Sequence, residues 1–179
     1  RTTFLNSHSA WGGRVQRGAT GRWKRMVPSY GLRRLPDESA NEFVLMLPFT
    51  PRGKANMSGW LAAHCDPDRY GRMTLYNFAK GANVAGPEQM ETNFTSDPKV
   101  TSVNLQLKGG GETEIVVGNL LVIPIGSSVM YVETLFPRGS TQGMQAAPRL
   151  KKVMRALNER IVSADSHEEA LKQLFTACA

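Results

Sequence analysis

Cysteine is scarce in this sequence. Its 179 residues include 2 cysteines, and aromatic residues make up 8% of the chain. Cys65 and Cys178 are too few for a disulfide framework or a metal quartet, and neither belongs to a Cys-x-x-Cys pair. A disulfide between them would require an oxidising compartment, and the sequence leaves their pairing open. The 41% of apolar and 21% of charged residues are typical of a folded domain.

Signature motifs of catalytic and nucleotide-binding sites are also missing. The sequence contains no Gly-x-Ser-x-Gly, no His-Glu-x-x-His, no Walker loop and no Gly-x-Gly-x-x-Gly. Residues 109–111 are three glycines without the Lys-Ser/Thr that a phosphate-binding loop needs, so we interpret them as a flexible connection. His8, His64 and His167 lie in separate elements and at no metal-ligand spacing. We therefore expect no metal, no cofactor and no catalytic residue.

Acidic residues are absent from residues 1–36, which hold eight basic ones. Residues 37–179 hold the other 14 basic and all 15 acidic residues, so the net charge of +7 belongs to the N-terminal segment. Residues 1–28 are rich in Gly, Arg and Ser and lack a hydrophobic period, which is typical of an irregular arm. We predict a basic, aromatic-containing extended arm over residues 1–28 and a folded domain over residues 29–179.

The predicted arm combines cations with tryptophan and phenylalanine. That composition suits three kinds of partner: nucleic acid, an acidic protein surface or an anionic lipid surface. No RNP, KH or helix-turn-helix signature accompanies the arm, so we expect membrane protein subunits or an anionic membrane surface, and no nucleic acid. The residues expected to bind this partner are Trp11, Arg14, Arg17, Arg22, Trp23, Lys24 and Arg25.

A charge-free stretch of eighteen residues, Ile115 to Val132, requires comparison with a membrane span. Glycine, proline and serine interrupt it, and its two apolar halves flank Gly126-Ser127-Ser128. This pattern favours a buried β-hairpin over residues 114–136, so we expect no transmembrane helix in the chain. The chain begins with Arg and lacks the apolar region of a signal peptide, so we expect a fragment or a processed product.

Hydrophobic periodicity predicts mixed strands and helices within residues 29–179. Residues 30–35 and 43–47 are expected to be strands, the second of them central because its apolar run is unbroken. Thr50-Pro51 resembles a helix N-terminus, and apolar residues at i, i+3, i+4 spacing predict a helix that ends near residues 66–67. A strand follows over residues 70–78, then a loop over 81–86, helical turns over 87–94, and a helical or extended piece through residue 107.

The C-terminal third is predicted to contain a loop, an ambiguous segment and a helix. Residues 137–148 show no period and are expected to form a long surface loop. Residues 150–163 fit a hairpin or one helix, and propensity favours the helix. Asp165 or Ser166 is expected to cap a final helix with the apolar stripe Ala170, Leu171, Leu174 and Phe175. The fold class is therefore α+β, a mixed or antiparallel sheet with a few short helices.

One polar cluster lies between two of these predicted elements. His64, Cys65 and Asp66 are consecutive, and on a helix neighbouring side chains point about 100° apart, so they do not form a catalytic relay with one another. Helix-dipole stabilisation of His64 explains that residue without any activity. The alternative is an enzyme with a cleft near residues 64–71, in which His64, Asp66, Asp68, Arg69 and Tyr70 converge.

Seven sequence blocks, in a fixed order over about 145 residues, resemble the uncharacterised protein family 0182 of bacterial membrane proteins. The blocks are FVLMLPFTP (43–51), NMSGWLAAHCDPDRYG (56–71), GPEQMET (86–92), GNLLVIPI (118–125), YVETLF (131–136), LKKVM (150–154) and HEEALKQLF (167–175). Members carry several N-terminal transmembrane helices followed by a large extracytoplasmic domain. This chain resembles the C-terminal portion of that domain.

The resemblance implies a location and adjusts two structural expectations. It implies the extracytoplasmic (periplasmic) face of the bacterial cytoplasmic membrane. It favours a hairpin over residues 115–132 and a strand-turn-strand after residue 150. The family usually has a basic residue where His64 and Val117 stand, and it has no established activity to carry over. We therefore expect a non-enzymatic extracytoplasmic domain or subunit of a membrane protein, with a structural or interaction role.

Overall fold

The computed structural model of the chain describes residues 11–12, 16–17, 23–24, 26–36, 38–51, 53–108, 113–126, 128–141, 144–145 and 150–176. These residues group into two compact units, one over residues 26–89 with the first short strand, and the other over residues 90–176 with the next two. In chain order the elements are β1 (Trp11–Gly12), β2 (Gln16–Arg17), β3 (Trp23–Lys24), β4 (Ser29–Arg34), β5 (Asn41–Pro51), β6 (Gly59–His64), β7 (Met73–Asn77), α1 (Pro87–Ser96), α2 (Pro98–Lys108), β8 (Thr113–Val117), β9 (Leu121–Ile125), β10 (Ser128–Thr141), β11 (Met144–Gln145), β12 (Lys152–Leu157), β13 (Arg160–Ala164) and α3 (His167–Phe175).

The first unit is built on an antiparallel sheet in which β5 is central. β5 pairs with β4 and β1 along one edge and with β6 along the other, and β6 pairs with β7. The predicted strands near residues 30–35, 43–47 and 70–78 are confirmed as β4, β5 and β7. A turn follows β4, where the backbone N–H of Glu38 donates to the carbonyl of Leu35 at 3.1 Å.

The helix predicted over residues 50–65 is wrong. Thr50 and Pro51 end strand β5, and residues 59–64 form strand β6. Trp60, Ala62 and His64 are buried together on one face, which is the period of two that marks a strand. Gly59 confirms this assignment, because a Cβ there would collide with the backbone carbonyl of Tyr76 on β7. The chain then turns through a short 3-10 helix, Pro67–Arg69.

The core of the first unit lies on one face of its sheet. Its buried members are Leu35, Val44, Met46, Trp60 and Ala62, with Tyr76 and Phe78 packed against them. The rings of Trp60 and Tyr76 stack with centroids 4.3 Å apart. This face alone contains enough large apolar side chains to stabilise the strands, since each fully buried one contributes about 1.5–3 kcal/mol.

The second unit is built around β10, a strand of 14 residues. β9 and β8 pair with successive parts of one edge of β10, and β12 pairs with the other edge and with β13. The predicted hairpin within residues 114–136 is confirmed as β9 and β10, joined where Gly126 adopts a positive φ of 56°. No helix among the described residues is long and apolar enough to cross a membrane.

Two predictions for the C-terminal third require correction. The loop expected over residues 137–148 is in part a hairpin, because β10 continues to Thr141 and pairs with β11. Residues 152–164 are a hairpin and not the helix that propensity favours, in agreement with the strand-turn-strand that the resemblance implies. Asn158 adopts a left-handed φ of 55° in the connecting turn, a conformation that asparagine tolerates better than most residues.

Helix α3 confirms the predicted cap and most of the predicted stripe. Ser166 is the N-cap, and its side chain accepts a hydrogen bond from the backbone N–H of Glu169 at 3.1 Å. Ala170 and Leu174 are buried against Met130, Val132, Val153, Val162 and Ala164 of the second sheet. Phe175 was predicted on the same stripe but is exposed. The observed architecture of the described residues, two large antiparallel sheets and the β2–β3 pair with three α-helices, confirms the α+β class.

Candidate functional site

Four neighbouring strands of the first sheet each place one polar residue near the same end of the sheet. These residues are Arg33 on β4, Glu42 on β5, His64 on β6 and Thr74 on β7. Arg33 lies opposite Glu42, and Thr74 lies opposite Ala62, two residues before His64. Glu42 and His64 are buried, so strand alternation puts these polar groups on the core-facing side.

His64 is hydrogen-bonded through both nitrogens of its ring. Nδ1 lies 2.7 Å from Oε2 of Glu42, and Nε2 lies 2.9 Å from Oγ1 of Thr74. The residue is only 1% exposed, so neighbouring side chains rather than water satisfy the ring. A histidine with a carboxylate on one nitrogen and a hydroxyl on the other has the connectivity of a carboxylate, base and hydroxyl relay.

Arg69 links Glu42 to a second carboxylate at the rim of this cluster. Its guanidinium lies 3.4 Å from Oε1 of Glu42 and donates a 2.7 Å hydrogen bond to Glu38. The bond from Arg69 lowers the pKa of the Glu38 carboxyl, and the same bond raises the pKa of Arg69. Arg69 therefore connects the buried relay to the partly exposed surface around Glu38.

The residues predicted to converge in a cleft near 64–71 do so only in part. The structure brings His64 and Arg69 together through Glu42. Asp66 instead accepts a hydrogen bond from the backbone N–H of Phe43 at 3.2 Å, and Tyr70 is exposed on the surface. His64 is the last residue of a strand, so the predicted helix-dipole role is wrong.

Glu42 and Thr74 belong to the cluster, although the sequence did not predict either of them as a site residue. Glu42 carries one usable signal, because it precedes the apolar run of β5 with the spacing of the buried Val44 and Met46. An acidic residue at a buried strand position needs a polar partner. The partner itself depends on the strand register, which a single sequence does not specify.

The opposite side of the first sheet is also apolar, and we call it the outer face. Cross-strand register places three rows of side chains there, and alternation separates them from the buried core positions. Its members are Tyr30, Leu32, Phe43, Leu45, Leu47, Leu61, Ala63, Met73 and Leu75. Antiparallel sheets with a solvated face normally alternate apolar and polar residues, and this sheet is apolar on both faces.

Several outer-face side chains are largely exposed. The exposed fractions are 63% for Tyr30, 60% for Leu32, 43% for Phe43 and 67% for Met73. The rings of Tyr30 and Phe43 stack with centroids 5.6 Å apart, which orders them side by side on neighbouring strands. Clustered exposed apolar residues of this kind mark interaction surfaces more often than isolated ones.

The predicted partner-binding residues of the arm are described only in part. Trp11, Arg17, Trp23 and Lys24 belong to β1, β2 and β3, where the structure describes the backbone. Arg14, Arg22 and Arg25 lie outside the described residues. β1 pairs with Thr50 and Pro51 at the end of β5, and β2 pairs with β3. The binding role of these seven residues stays a prediction.

Metal-ligating side chains do not gather anywhere in the described part of the chain. No group of three or more His, Cys, Asp or Glu residues there has the geometry to hold an ion. Cys65 is half-buried and free, and its thiol faces the carbonyl of Ala63 at 3.5 Å. Cys178 lies outside the described residues.

Comparison with known proteins identifies one family. The model of the family described as "Uncharacterised protein family (UPF0182)" matches residues 1–107. Relatives named as UPF0182 proteins are 39% identical over 153 residues in Methanospirillum hungatei, 39% over 172 in Moorella thermoacetica and 43% over 150 in Thermosynechococcus vestitus. These matches cover 85%, 96% and 84% of this chain but only 17%, 18% and 15% of the relatives.

The chain therefore spans about a sixth of the length of the curated relatives it matches, as a C-terminal part of them. No solved structure matches the chain.

Proposed function

The chain belongs to the uncharacterised protein family UPF0182, and we propose that it serves as an interaction module of an extracytoplasmic, membrane-associated protein. The observation that carries this proposal is the outer face of the first sheet. We further propose its occupant: a protein surface supplied by the rest of the family's polypeptide.

The free energy of burial supports an occupied outer face. Full burial of a leucine, phenylalanine or methionine side chain stabilises a protein by about 1.5–3 kcal/mol. Four outer-face residues are more than two fifths exposed, so covering them gains about twice that amount. An apolar sheet face left in water would instead promote aggregation, since flat apolar surfaces associate readily.

The length of the relatives supports a partner within the same polypeptide. The region that matches this chain is 17% of the Methanospirillum protein and 18% of the Moorella protein. More than four fifths of each relative therefore lies outside this region and is available to cover the outer face. Such interfaces between parts of one polypeptide typically bury about 600–1,500 Å².

A split version of the Moorella relative tests this proposal. The segment matching this chain and the remaining polypeptide are co-expressed as two pieces and purified through the larger one in detergent. We expect the pieces to co-purify in equal amounts. Serine at the positions aligned with Leu32 and Phe43 should weaken the association at least about tenfold, an effect typical of central interface residues.

The matched control is serine at the position aligned with Leu105. Leu105 is as exposed as Leu32 but lies on α2 in the second unit, so this change should leave the association unaltered. Undiminished co-purification of the outer-face variant would overturn the proposal. Self-association of the small piece, or its flotation with lipid vesicles, lost in that same variant would also overturn it by identifying another occupant.

The predicted basic arm fits the same role as a second contact. Eight basic residues and no acidic ones in residues 1–36 favour an anionic surface, and the remainder of the chain has a net charge of −1. Each basic residue close to an anionic membrane contributes about 1 kcal/mol of attraction. We propose that this segment contacts the membrane surface or an acidic region of a neighbouring subunit.

A further inference from the structure

We infer that Thr74 is a nucleophile that accepts an acyl group from an activated ester, with His64 as its general base. This inference is independent of the outer face and of the basic arm. It rests on the unbroken hydrogen-bonded connection from Glu42 through the ring of His64 to the hydroxyl of Thr74.

The order of donors and acceptors follows from the carboxylate, which only accepts hydrogen bonds when ionised. The Nδ1–H of His64 donates a hydrogen bond to the Glu42 carboxylate across 2.7 Å. When the imidazole carries one proton, Nε2 is the nitrogen without it, and its lone pair is placed to accept the hydrogen bond of the Thr74 hydroxyl across 2.9 Å. A hydroxyl hydrogen-bonded to a neutral imidazole, with a carboxylate behind the ring, is the arrangement that activates serine and threonine nucleophiles.

The surroundings hold this arrangement in place. The His64 side chain is completely buried, so the ring has no freedom to point its nitrogens elsewhere. The guanidinium of Arg69 also contacts the Glu42 carboxylate, 3.4 Å from Oε1. Thr74 is half-buried, which leaves part of its surface open to a small reagent. Glu42 is therefore a positioning residue, His64 the base and Thr74 the group that reacts.

The reaction balances as an ordinary acyl transfer. Oγ1 of Thr74 attacks the ester carbonyl while Nε2 of His64 takes the hydroxyl proton. Collapse of the tetrahedral adduct breaks the bond to the leaving alcohol, which takes the proton from His64 or departs as its anion. When it departs as its anion, His64 gives its proton to solvent. The product is an acyl ester on Thr74. Water activated by the same histidine then releases the acid and restores the hydroxyl.

The test is acetylation of the whole chain by p-nitrophenyl acetate. Its p-nitrophenolate leaving group departs without needing a proton. The reaction therefore tests only the nucleophile and the general base, with no requirement for a general acid. We expect one acetyl group on the peptide that contains Thr74, located by peptide mass spectrometry after a short incubation. Thr74→Val should abolish it, and Thr74→Ser should retain it.

Three further variants distinguish acetylation of Thr74 that is activated by His64 and Glu42 from nonspecific acetylation. His64→Asn should slow the acetylation of Thr74 by about 10²-fold or more, the usual contribution of a general base. Glu42→Gln should also slow it, because the tautomer of His64 is no longer fixed. Thr95→Val is the matched control, since the hydroxyl of Thr95 bonds only to backbone carbonyls.

The outcomes that overturn the inference are distinct. Absence of an acetyl group on Thr74 in the wild-type chain would refute the role of Thr74 as a nucleophile. Equal acetylation rates in wild type and His64→Asn would refute the role of His64 as the general base. If circular dichroism shows that His64→Asn does not fold, Thr74→Ser and Thr74→Val decide, since both keep the imidazole and differ in the hydroxyl. Equal acetylation of those two variants would also refute the inference.

Discussion

At the scale of single residues, Arg69 and Glu38 form an ion pair whose strength depends on pH. The hydrogen bond from Arg69 lowers the pKa of Glu38 in the folded chain. A carboxyl with a lowered folded-state pKa stabilises the fold above its unfolded pKa, near 4 to 4.5, and this stability is lost as the pH falls through the folded-state value. Between about pH 6 and about pH 3, wild type should therefore lose more unfolding free energy than Glu38→Gln.

Urea unfolding of both proteins across that pH range measures this difference. Adding Glu38→Gln to Arg69→Gln should cause no further reduction of the pH dependence, because the partner of Glu38 is already gone. Parallel pH curves for wild type and Glu38→Gln would contradict the assignment of this pair.

A second residue-scale feature is Arg155, a buried cation. It is 7% exposed, and its guanidinium contacts the sulfur of Met130 at 3.3 Å and Nδ1 of His167 at 3.0 Å. These contacts of the guanidinium include no carboxylate, and its Nε is buried without a hydrogen bond among the described residues. Burial accordingly lowers the pKa of Arg155.

We expect Arg155→Met to raise the free energy of unfolding by about 1–3 kcal/mol. Replacing a buried charge by an apolar side chain of similar length removes its desolvation cost while retaining the packing. Chemical denaturation of the two proteins checks this. His167→Ala serves as the control, since it removes only the contact to the imidazole. A loss of stability in Arg155→Met would mean that the guanidinium contributes more than its visible contacts.

At the scale of elements, the start of helix α3 is secured by its cap. Ser166 accepts from the backbone N–H of Glu169, and the Glu169 carboxylate accepts in return from the backbone N–H of Asp165 at 3.4 Å. Ser166→Ala should cost about 1 kcal/mol, the usual value for a lost N-cap, while Ser166→Asp should keep most of the stability. Hydrogen exchange of the α3 amides measures both. Equal protection in the two variants would contradict a capping role.

Element types were predictable where local signals and tertiary structure agree. The unbroken apolar run of β5 and the capping box of α3 each specify one conformation. The helix prediction for residues 50–65 failed because Thr50-Pro51 resembles a helix N-terminus. The spacing of the apolar residues that follow fits both the helical period of 3.6 and the strand period of 2. Pairing of β6 with β5 on one edge and with β7 on the other decides in favour of the strand, and such pairing is a long-range property. The β12–β13 hairpin was also decided by pairing and not by propensity.

The candidate site was predictable only as a neighbourhood. His64 and Arg69 stand in the polar stretch that the sequence singles out, and both belong to the observed cluster. Glu42 lies 22 residues before His64, and Thr74 lies 10 residues after it. The antiparallel register of β5, β6 and β7 brings these side chains together, so no local sequence pattern predicts this cluster.

At the scale of the whole molecule, the segregation of charge predicts where an anionic surface attaches. Deleting residues 1–28 is a poor test, because Met26 is buried and β1 pairs with the end of β5. Substitution by glutamine keeps the chain length and removes five cations. The variant carries Gln at positions Arg14, Arg17, Arg22, Lys24 and Arg25. The control carries Gln at five exposed lysines elsewhere: Lys54, Lys80, Lys99, Lys151 and Lys172.

Both variants lower the net charge equally, so only the location of the charge differs between them. In flotation with vesicles that contain anionic lipid, wild type and the lysine control should bind, and the arm variant should lose most of its binding. At about 1 kcal/mol for each basic residue near the surface, five cations account for several orders of magnitude in affinity. Binding should weaken as salt rises, because screening shortens the reach of these charges. Equal losses in the two variants would show that total charge and not the N-terminal segment governs attachment.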